Sequence, residues 1–476
     1  LEVRAGIATG EALVTLGARP EAGEGIVAGD VVNTAARLQA AAPVGAIVVG
    51  EGTYRATREA IDFQALEPIR LKGKAEPVPA WRVLGARSRF GTDLEQPRTP
   101  FVGRDDDLAV LQQAYRRAVR ERSLQLVTVT GEPGVGKTRL VTELRRWVDD
   151  RPEIVSWRQG RCLPYGEGVA FWAIGEIVKA QAGILESDGP EAARRKLGEA
   201  VEAVVKDPRD RGWLLGALGP LVGLGGDQGL DRGESFGAWR TFLEAVAQAR
   251  PLVLVIEDLH WADEGLLGFL EETLDRTTDV PLLVLCTARP ELYDRHPSWG
   301  GGKRNSTTVA LSPLSDEETA RLLAAILDQA VLPAETQRVL LEQAGGNPLY
   351  AEEFTKMLVD RGTLSRDGGT WAIREGAAIP VPETVHAIIA ARLDTLTPDR
   401  KALLQDAAVV GKVFWSGALA SMAGTDESAV REAMHELARK ELVREARRSS
   451  VEGQAEYAFW HALVRDVAYG QIPRAA

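Results

Sequence analysis

Eight consecutive residues of this chain have the types and the spacing needed to hold the phosphates of a nucleotide. They fit the pattern G-x-x-x-x-G-K-[ST] at every fixed position, and they are Gly131, Glu132, Pro133, Gly134, Val135, Gly136, Lys137 and Thr138. In such a loop the glycines let backbone N–H groups curl around phosphate oxygens, the lysine reaches the β- and γ-phosphates, and the hydroxyl ligates Mg²⁺. The sequence therefore predicts a nucleoside triphosphate site with ATP and Mg²⁺ as cofactors, while the choice between ATP and GTP stays open.

An acidic pair follows a later apolar run. Residues 252–256 are typical of a buried strand, and Glu257 and Asp258 come directly after them. Carboxylates at the end of such a strand can ligate Mg²⁺ and orient an attacking water, so both are candidate catalytic and metal-binding residues. Which of the two holds the ion stays open, and capping of a helix is an alternative role for Asp258.

Strands and helices must position these groups. Residues 124–130 are apolar and β-branched and lead straight into the loop, and apolar residues recur at helical spacing after Thr138. The loop therefore opens a helix whose N-terminus faces the phosphates. Further strands are predicted at 282–287 and 307–311, and residues 165–249 read as a helical insertion. Alternating strands and helices predict a parallel sheet covered on both faces.

Length and composition limit the class of protein. The 476 residues suggest about three domains. The net charge of −11 argues against a broad basic surface for nucleic acid, and no apolar stretch approaches the roughly 18 residues that span a bilayer. Two cysteines 124 residues apart indicate neither a disulfide framework nor a zinc site, so we expect a cytoplasmic protein without a membrane partner. Because the chain begins at Leu1 inside an apparent strand, we interpret it as a fragment.

From about residue 100 to 476 the motifs resemble, in order, those of the signal-transduction ATPases with numerous domains. The matching segments are Phe101-Val102-Gly103-Arg104, Glu257 to Asp263, Thr287-Ala288-Arg289, Gly345 to Leu349, and Phe459 to Tyr469. The resemblance implies that Arg289 senses the γ-phosphate, that Pro348 lies near the base, and that Arg104 belongs to the nucleotide site. A surface ion pair remains the alternative for Arg289, and helix initiation the alternative for Pro348.

Residues 1–85 resemble the second half of a class III purine nucleotide cyclase domain. The segments that carry this resemblance are 4–11, 29–38 and 71–74. It implies that Asn33 orients the ribose, that Arg37 stabilises the pentavalent phosphate and that Lys72 contacts the triphosphate. Asn33 and Arg37 are four residues apart, on one helix face, although a solvated helix capped by the asparagine is an alternative.

Two departures from the cyclase pattern bear on activity. The family's metal-binding aspartates lie in the first half of the domain, which this sequence does not contain, and Ile26 stands where a polar side chain often reads the purine. We therefore expect the fragment to be inactive as a cyclase. The intact parent is expected to make cyclic AMP from ATP, working as a homodimer or higher assembly through this domain.

The predicted fold class is α/β, with four segments. They are a partial ferredoxin-like cyclase half-domain at 1–85, a linker at 86–100, a P-loop ATPase domain with a parallel sheet at 101–350, and a helical and winged-helix region at 351–476. A short hairpin is predicted at 447–458. The preferred hypothesis is a nucleotide-gated signalling ATPase with a protein partner of unknown identity.

The sequence leaves two other hypotheses open. One is a transcription regulator that reads DNA through the winged helix. Direct DNA binding is disfavoured because the arginines and lysines between 431 and 448 alternate with glutamates. The other is a scaffold whose nucleotide sites are purely structural.

Overall fold

The structure is a computed structural model. It describes residues 4–10, 13–14, 27–57, 61–69, 77–86, 99–151, 153–163, 171–225, 231–327, 334–367, 370–373, 384–446 and 449–472. Ile26 and Lys72 lie outside these residues. The chain forms two compact units, Leu1–Arg89 and Phe90–Ala476.

The first unit places helices against a mixed sheet. Its elements are β1 (Ala5–Ile7), β2 (Leu13–Val14), β3 (Val27–Ala28), α1 (Asp30–Ala41), β4 (Ile47–Gly50), α2 (Glu51–Thr57), β5 (Ile61–Ala65) and β6 (Ala80–Ala86). The sheet has the order β1-β4-β6-β5, and only β1 and β4 run parallel. Gly6 lets α1 approach β1 closely, since a Cβ there would lie 2.3 Å from the Ala35 carbonyl oxygen. Leu38 and Val48 are fully buried between helix and sheet.

A parallel sheet forms the centre of the second unit. The elements up to its last strand are α3 (Asp105–Glu121), β7 (Gln125–Thr130), α4 (Lys137–Asp149), β8 (Ser156–Arg161), α5 (Trp172–Ala182), α6 (Pro190–Val204), α7 (Pro208–Leu218), α8 (Arg232–Ala249), β9 (Leu252–Glu257), α9 (Glu264–Arg276), β10 (Leu282–Ala288), α10 (Glu291–Arg295) and β11 (Ser306–Ala310). The strand order is β11-β7-β10-β9-β8, with every neighbouring pair parallel.

Helices cover both faces of this sheet. Along β9, Leu254 and Ile256 pack into a core shared with α5 to α9, whereas Val253 and Val255 pack into the core on the other face, with α3 and α4. This two-sided burial explains why β7, β9 and β10 are almost continuously apolar. The α/β class, the parallel P-loop sheet and its helical insertion are thereby confirmed.

The remaining residues form helices and short antiparallel strands. The elements are α11 (Asp316–Ile326), α12 (Ala334–Ala344), α13 (Pro348–Asp360), β12 (Leu364–Asp367), β13 (Thr370–Ile373), α14 (Val385–Leu393), α15 (Pro398–Val410), β14 (Val413–Trp415), α16 (Ser416–Ala423), α17 (Glu427–Arg439), β15 (Val443–Glu445), β16 (Glu456–Phe459) and α18 (Ala462–Gly470). A three-stranded sheet, β14-β16-β15, packs with α14 to α18 around one core. We call residues 384–472 the C-terminal region.

Two local features differ from the sequence-based expectations. The strand β8 was not predicted, because only two of its six residues, Trp157 and the small Gly160, lack a polar side chain. The antiparallel pair β15 and β16 lies at 443–445 and 456–459, so its first strand lies entirely before the hairpin predicted at 447–458. In addition, α13 runs across the predicted boundary at 350/351, so the ATPase domain and the helices beyond it share this helix.

Candidate nucleotide-binding site

A cavity of about 710 Å³ lies where the phosphate loop, the ends of β9 and β10 and the C-terminal region meet. Most of the residues predicted for the second unit line it: Arg104, Pro133, Gly134, Val135, Gly136, Lys137, Thr138, Glu257, Asp258, Arg289 and Pro348. The remaining two members of the loop, Gly131 and Glu132, connect it to β7. The structure thus brings together residues from the loop, two strand ends and α13.

Backbone geometry explains the glycines of the loop. Gly136 precedes α4 with φ 109°, and Gly134 has φ 84°, values that side-chain-bearing residues rarely adopt. A Cβ on Gly134 would also lie 2.7 Å from the Asn347 side-chain oxygen. The loop is therefore held in a shape that only glycine permits, directly before the helix N-terminus that faces the cavity.

Asn347, directly before α13, and the first turn of that helix contact the phosphate loop. The Asn347 Nδ2 donates to the Pro133 carbonyl oxygen at 3.0 Å, and its Oδ1 accepts from the Tyr350 N–H at 3.2 Å. The Leu349 N–H donates to the Gly134 carbonyl oxygen at 3.3 Å. Asn347 thus caps α13 and fixes the loop at once, a role that the sequence-based reasoning missed.

Lys137 folds back onto its own loop. Its Nζ donates to the carbonyl oxygens of Gly131 at 2.6 Å and Glu132 at 3.0 Å. Burial lowers the pKa of Lys137 from 10.5 to about 8, only partly offset by the negative charge of Asp258. The ammonium group is therefore poorly solvated and suited to an anionic partner.

Glu257 is buried and already paired. The Arg161 guanidinium, at the end of β8, donates to Glu257 Oε2, and the Lys412 Nζ lies 3.8 Å from the same oxygen. Arg161 Nε also lies 3.5 Å from an oxygen of Asp258. Neither Arg161 nor Lys412 was predicted as a site residue, since no local motif contains them.

Asp258 has a different environment. Its backbone is left-handed, with φ 58°, and its N–H donates to the Thr287 hydroxyl at 3.2 Å. Burial raises its pKa above the usual range, with Arg161 opposing the shift. Asp258 is the N-cap residue of the short 3-10 helix Leu259–Trp261, but its side chain makes no capping hydrogen bond there, and the side chain that caps α9 is Asp263, which accepts from the Leu266 N–H. A strained residue with a raised pKa at a cavity is typical of a functional group.

Arg289 follows β10 and interacts electrostatically with Asp258 and Lys137. Its positive charge favours the ionised form of Asp258 and opposes protonation of Lys137. Its backbone N–H donates to Nδ1 of His260 at 3.3 Å, which fits a packing role for that histidine. Burial lowers the pKa of His260 to about 4, so its ring is neutral near pH 7.

Arg104 and Pro348 sit at the rim of the loop. The Arg104 guanidinium donates to the carbonyl oxygens of Val135, at 3.4 Å, and Ser312, so it supports the loop from behind. Pro348 occupies the first position of α13, as the helix-initiation alternative requires, and it also lines the cavity. Direct contact of either residue with a nucleotide stays a prediction.

The cyclase-like residues belong to the first unit. Asn33 and Arg37 lie one turn apart on α1, Asn33 exposed and Arg37 partly buried. Gly29, and not Asn33, is the N-cap residue of α1. The third residue, Lys72, lies outside the described part of the chain. The described residues that line the cavity all belong to the second unit, and they do not include Asn33 or Arg37.

The donor set fits a magnesium ion. Thr138, Glu257 and Asp258 all line the cavity and offer a hydroxyl and carboxylate oxygens, the ligands that Mg²⁺ prefers, with Arg161 donating to one oxygen of Glu257. A second acidic cluster consists of Glu352 and Glu353 with His461, and of these Glu352 and His461 line the cavity. There the Lys356 ammonium group lies 2.5 Å from Glu352 Oε1 and 3.6 Å from Glu353 Oε1, and the Arg392 guanidinium donates to Glu353 Oε2, so side-chain cations already pair with both carboxylates.

Sequence comparison agrees with this geometry. Residues 100–285 match the AAA ATPase domain. Over its full length the chain is 28% identical to an uncharacterised protein of Rhizobium meliloti (strain 1021), of which it covers 45%. The chain therefore spans about half the length of the curated relative that it matches.

Three solved structures show weak overall similarity. One is a signal transduction ATPase with numerous domains that carries a tetratricopeptide repeat sensor, from Pyrococcus horikoshii, with a TM-score of 0.42 and 14% identity over 80% of this chain and 45% of that chain. The second is the Aeropyrum pernix ORC1 protein in complex with DNA, with a TM-score of 0.36 and 14% identity over 79% of this chain and 94% of that chain. The third is a RuvB variant of Thermotoga maritima, with a TM-score of 0.30 and 13% identity over 79% of this chain and 99% of that chain. With TM-scores below 0.5, they support no conclusion about function. Within the described residues, no helix has the length and apolar character to cross a bilayer.

Proposed function

We propose that the AAA ATPase domain binds ATP with Mg²⁺ in this cavity and hydrolyses it slowly, as a switch that changes the position of the C-terminal region. One observation carries the proposal: the C-terminal region lines the same cavity as the phosphate loop, and it supplies Lys412, Arg444 and His461. A nucleotide in this cavity would contact both. Occupancy of the site is then coupled to the arrangement of the chain.

The residues that line the cavity have different roles in phosphate binding, metal binding and hydrolysis. The loop N–H groups and Lys137 hold the phosphates, and Arg289 stabilises charge at the terminal phosphate. Thr138 and Glu257 would hold Mg²⁺, which, when bound, offsets the phosphate charge. Asp258 orients the attacking water and accepts its proton, since burial raises its pKa and the carboxylate of Glu257 is already held by Arg161.

Binding and turnover can be separated by two variants. We expect Lys137→Ala to weaken ATP binding by about 100-fold, because it removes the cation that reaches the β- and γ-phosphates. Asp258→Asn should bind ATP but lower turnover by about 100-fold, because the amide cannot accept the proton. Isothermal titration and phosphate release measure the two effects. Absence of ATP binding by the wild-type chain, or equal binding by Lys137→Ala, would refute the proposal.

For the first unit we propose a purine nucleotide cyclase domain that is complete only in the intact parent. The support is the resemblance of residues 1–85 and the placement of Asn33 and Arg37 one turn apart on α1. The AAA ATPase match begins after this unit and does not bear on it. The test is cyclic AMP formation from ATP by this chain and by the longer parent. Activity in neither protein would exclude a catalytic cyclase domain.

Direct DNA binding gains no support from the C-terminal region. Arg431 on α17 pairs with Glu427 at 2.7 Å, and Arg400 on α15 pairs with Glu436 at 2.6 Å. These arginines are thus engaged in local ion pairs on helix surfaces. A gel shift with duplex DNA at about 0.1 M salt is the direct test, and we expect no complex.

A further inference from the structure

The main chain of Lys412 belongs to the C-terminal region, whereas its side-chain nitrogen lies beside Glu257 in the nucleotide site. Gly411 ends α15, and the Phe459 N–H of β16 donates to the Lys412 carbonyl oxygen at 3.0 Å. Two residues later, Phe414 is fully buried in the core of the C-terminal region. The backbone of Lys412 is therefore fixed to that core.

The side chain leaves the core and reaches the phosphate site. Its Nζ lies 3.8 Å from Glu257 Oε2, and the side chain is 29% exposed. At this separation the two groups attract each other by charge but do not form a hydrogen bond. Arg161 donates to the same oxygen and is the stronger partner of Glu257. Lys412 is thus the more weakly held of the two cations.

A terminal phosphate offers Lys412 a better partner. It carries up to two negative charges and three acceptor oxygens, whereas Lys412 now shares a single carboxylate oxygen with Arg161. Lysine presents three donors on a flexible stem, so its nitrogen can move between neighbouring anions while its backbone stays in place. Use of Glu257 as a metal ligand would further favour this exchange.

We propose that Lys412 is the positioning residue through which the C-terminal region responds to the terminal phosphate. Its ammonium group contacts Glu257 in the nucleotide-free chain and the terminal phosphate in the ATP-bound chain, and it contacts no phosphate in the ADP-bound chain. This inference rests on the proposed ATP site. It adds the residue that links the site to the C-terminal region and the reason why ATP and ADP differ.

The test compares Lys412→Met, which keeps the length of the stem but removes the charge, with Lys412→Arg, which keeps the charge. Lys401→Met is the matched control, since Lys401 lies in the same region, is equally exposed at 29%, and pairs with Asp394 away from the cavity. Affinities for ATP and ADP are measured by titration. Amide hydrogen exchange of residues 411–415 and 456–460 is measured without nucleotide, with ATP and with ADP.

For Lys412→Met we expect ATP affinity to fall about fivefold and ADP affinity to stay within about twofold, because one charge-assisted contact is lost. The ATP-dependent change in exchange should disappear in Lys412→Met, persist in Lys401→Met and return at least in part in Lys412→Arg. If Lys412→Met does not fold, Lys412→Gln takes its place.

Two results would overturn the inference. One is an unchanged ATP-dependent exchange response in Lys412→Met. The other is an equal loss of ATP and ADP affinity. Failure of the proposed function has a different signature, because the wild-type chain would then bind no ATP, or Lys137→Ala would bind it equally well.

Discussion

The ammonium group of Lys137 makes ATP binding depend on pH in a range where most lysines do not titrate. Its pKa in the free chain is about 8, against 10.5 for a solvated lysine, because burial disfavours the charged form. Only the charged form attracts phosphate oxygens strongly. Between pH 7 and pH 9 the charged fraction falls from about nine-tenths to about one-tenth. We therefore expect the apparent affinity for ATP to fall about tenfold over this range.

The assay is a titration with ATP at half-unit pH steps between 7 and 9, at constant ionic strength and Mg²⁺. Lys137→Arg is the control, since a guanidinium group stays charged throughout and should give a flat profile from a weaker starting affinity. A wild-type profile that is flat between pH 7 and 9 would refute the assigned pKa. A slope that persists in Lys137→Arg would place the titrating group elsewhere.

The same shift affects the stability of the free chain with the opposite sign. The folded chain loses the Lys137 proton near pH 8, whereas the unfolded chain keeps it until about pH 10.5. Unfolding therefore takes up a proton between these values, and this residue adds to the free energy of unfolding as the pH rises. Bound ATP should remove that gain, because it favours the charged ammonium group.

Two substitutions test the supports of the site. Asn347→Ala should lower the free energy of unfolding by about 1 kcal/mol, because the cap of α13 is lost, and it should also weaken ATP binding. Asp426→Ala is the control, since it removes a cap from α17 and should affect stability alone. Chemical denaturation and ATP titration measure both, and unchanged ATP affinity in Asn347→Ala would show that its contact with the loop is dispensable. Arg161→Met should lower the free energy of unfolding by about 3 kcal/mol, because among the described residues it leaves the buried Glu257 with the weaker ion pair to Lys412 at 3.8 Å. Arg195→Met, from an exposed helix pair, should lower it by less than about 0.5 kcal/mol. Equal melting curves for these two variants would contradict the assigned importance of the Arg161 pair.

Much of the ATPase domain could be predicted because its signals are local. The strands that begin at 252 and 282 have the expected bounds within one residue. Buried parallel strands are continuously apolar, and the phosphate loop has a fixed spacing, so both are visible in a short window of sequence. The edge strand β8 gave no such signal, since it pairs with β9 alone and carries polar residues.

The sequence by itself determined the phosphate loop, the acidic pair and the sheet that carries them, because each depends on neighbouring residues. Tertiary structure alone decided which side chains contact these groups. Asn347 forms a hydrogen bond to the loop, Arg161 pairs with Glu257, and Lys412 of the C-terminal region lies near the same carboxylate. Ion pairs and hydrogen bonds between distant segments need only one charged or polar side chain at each end. They leave no periodic pattern, so they become visible only when packing brings the segments together.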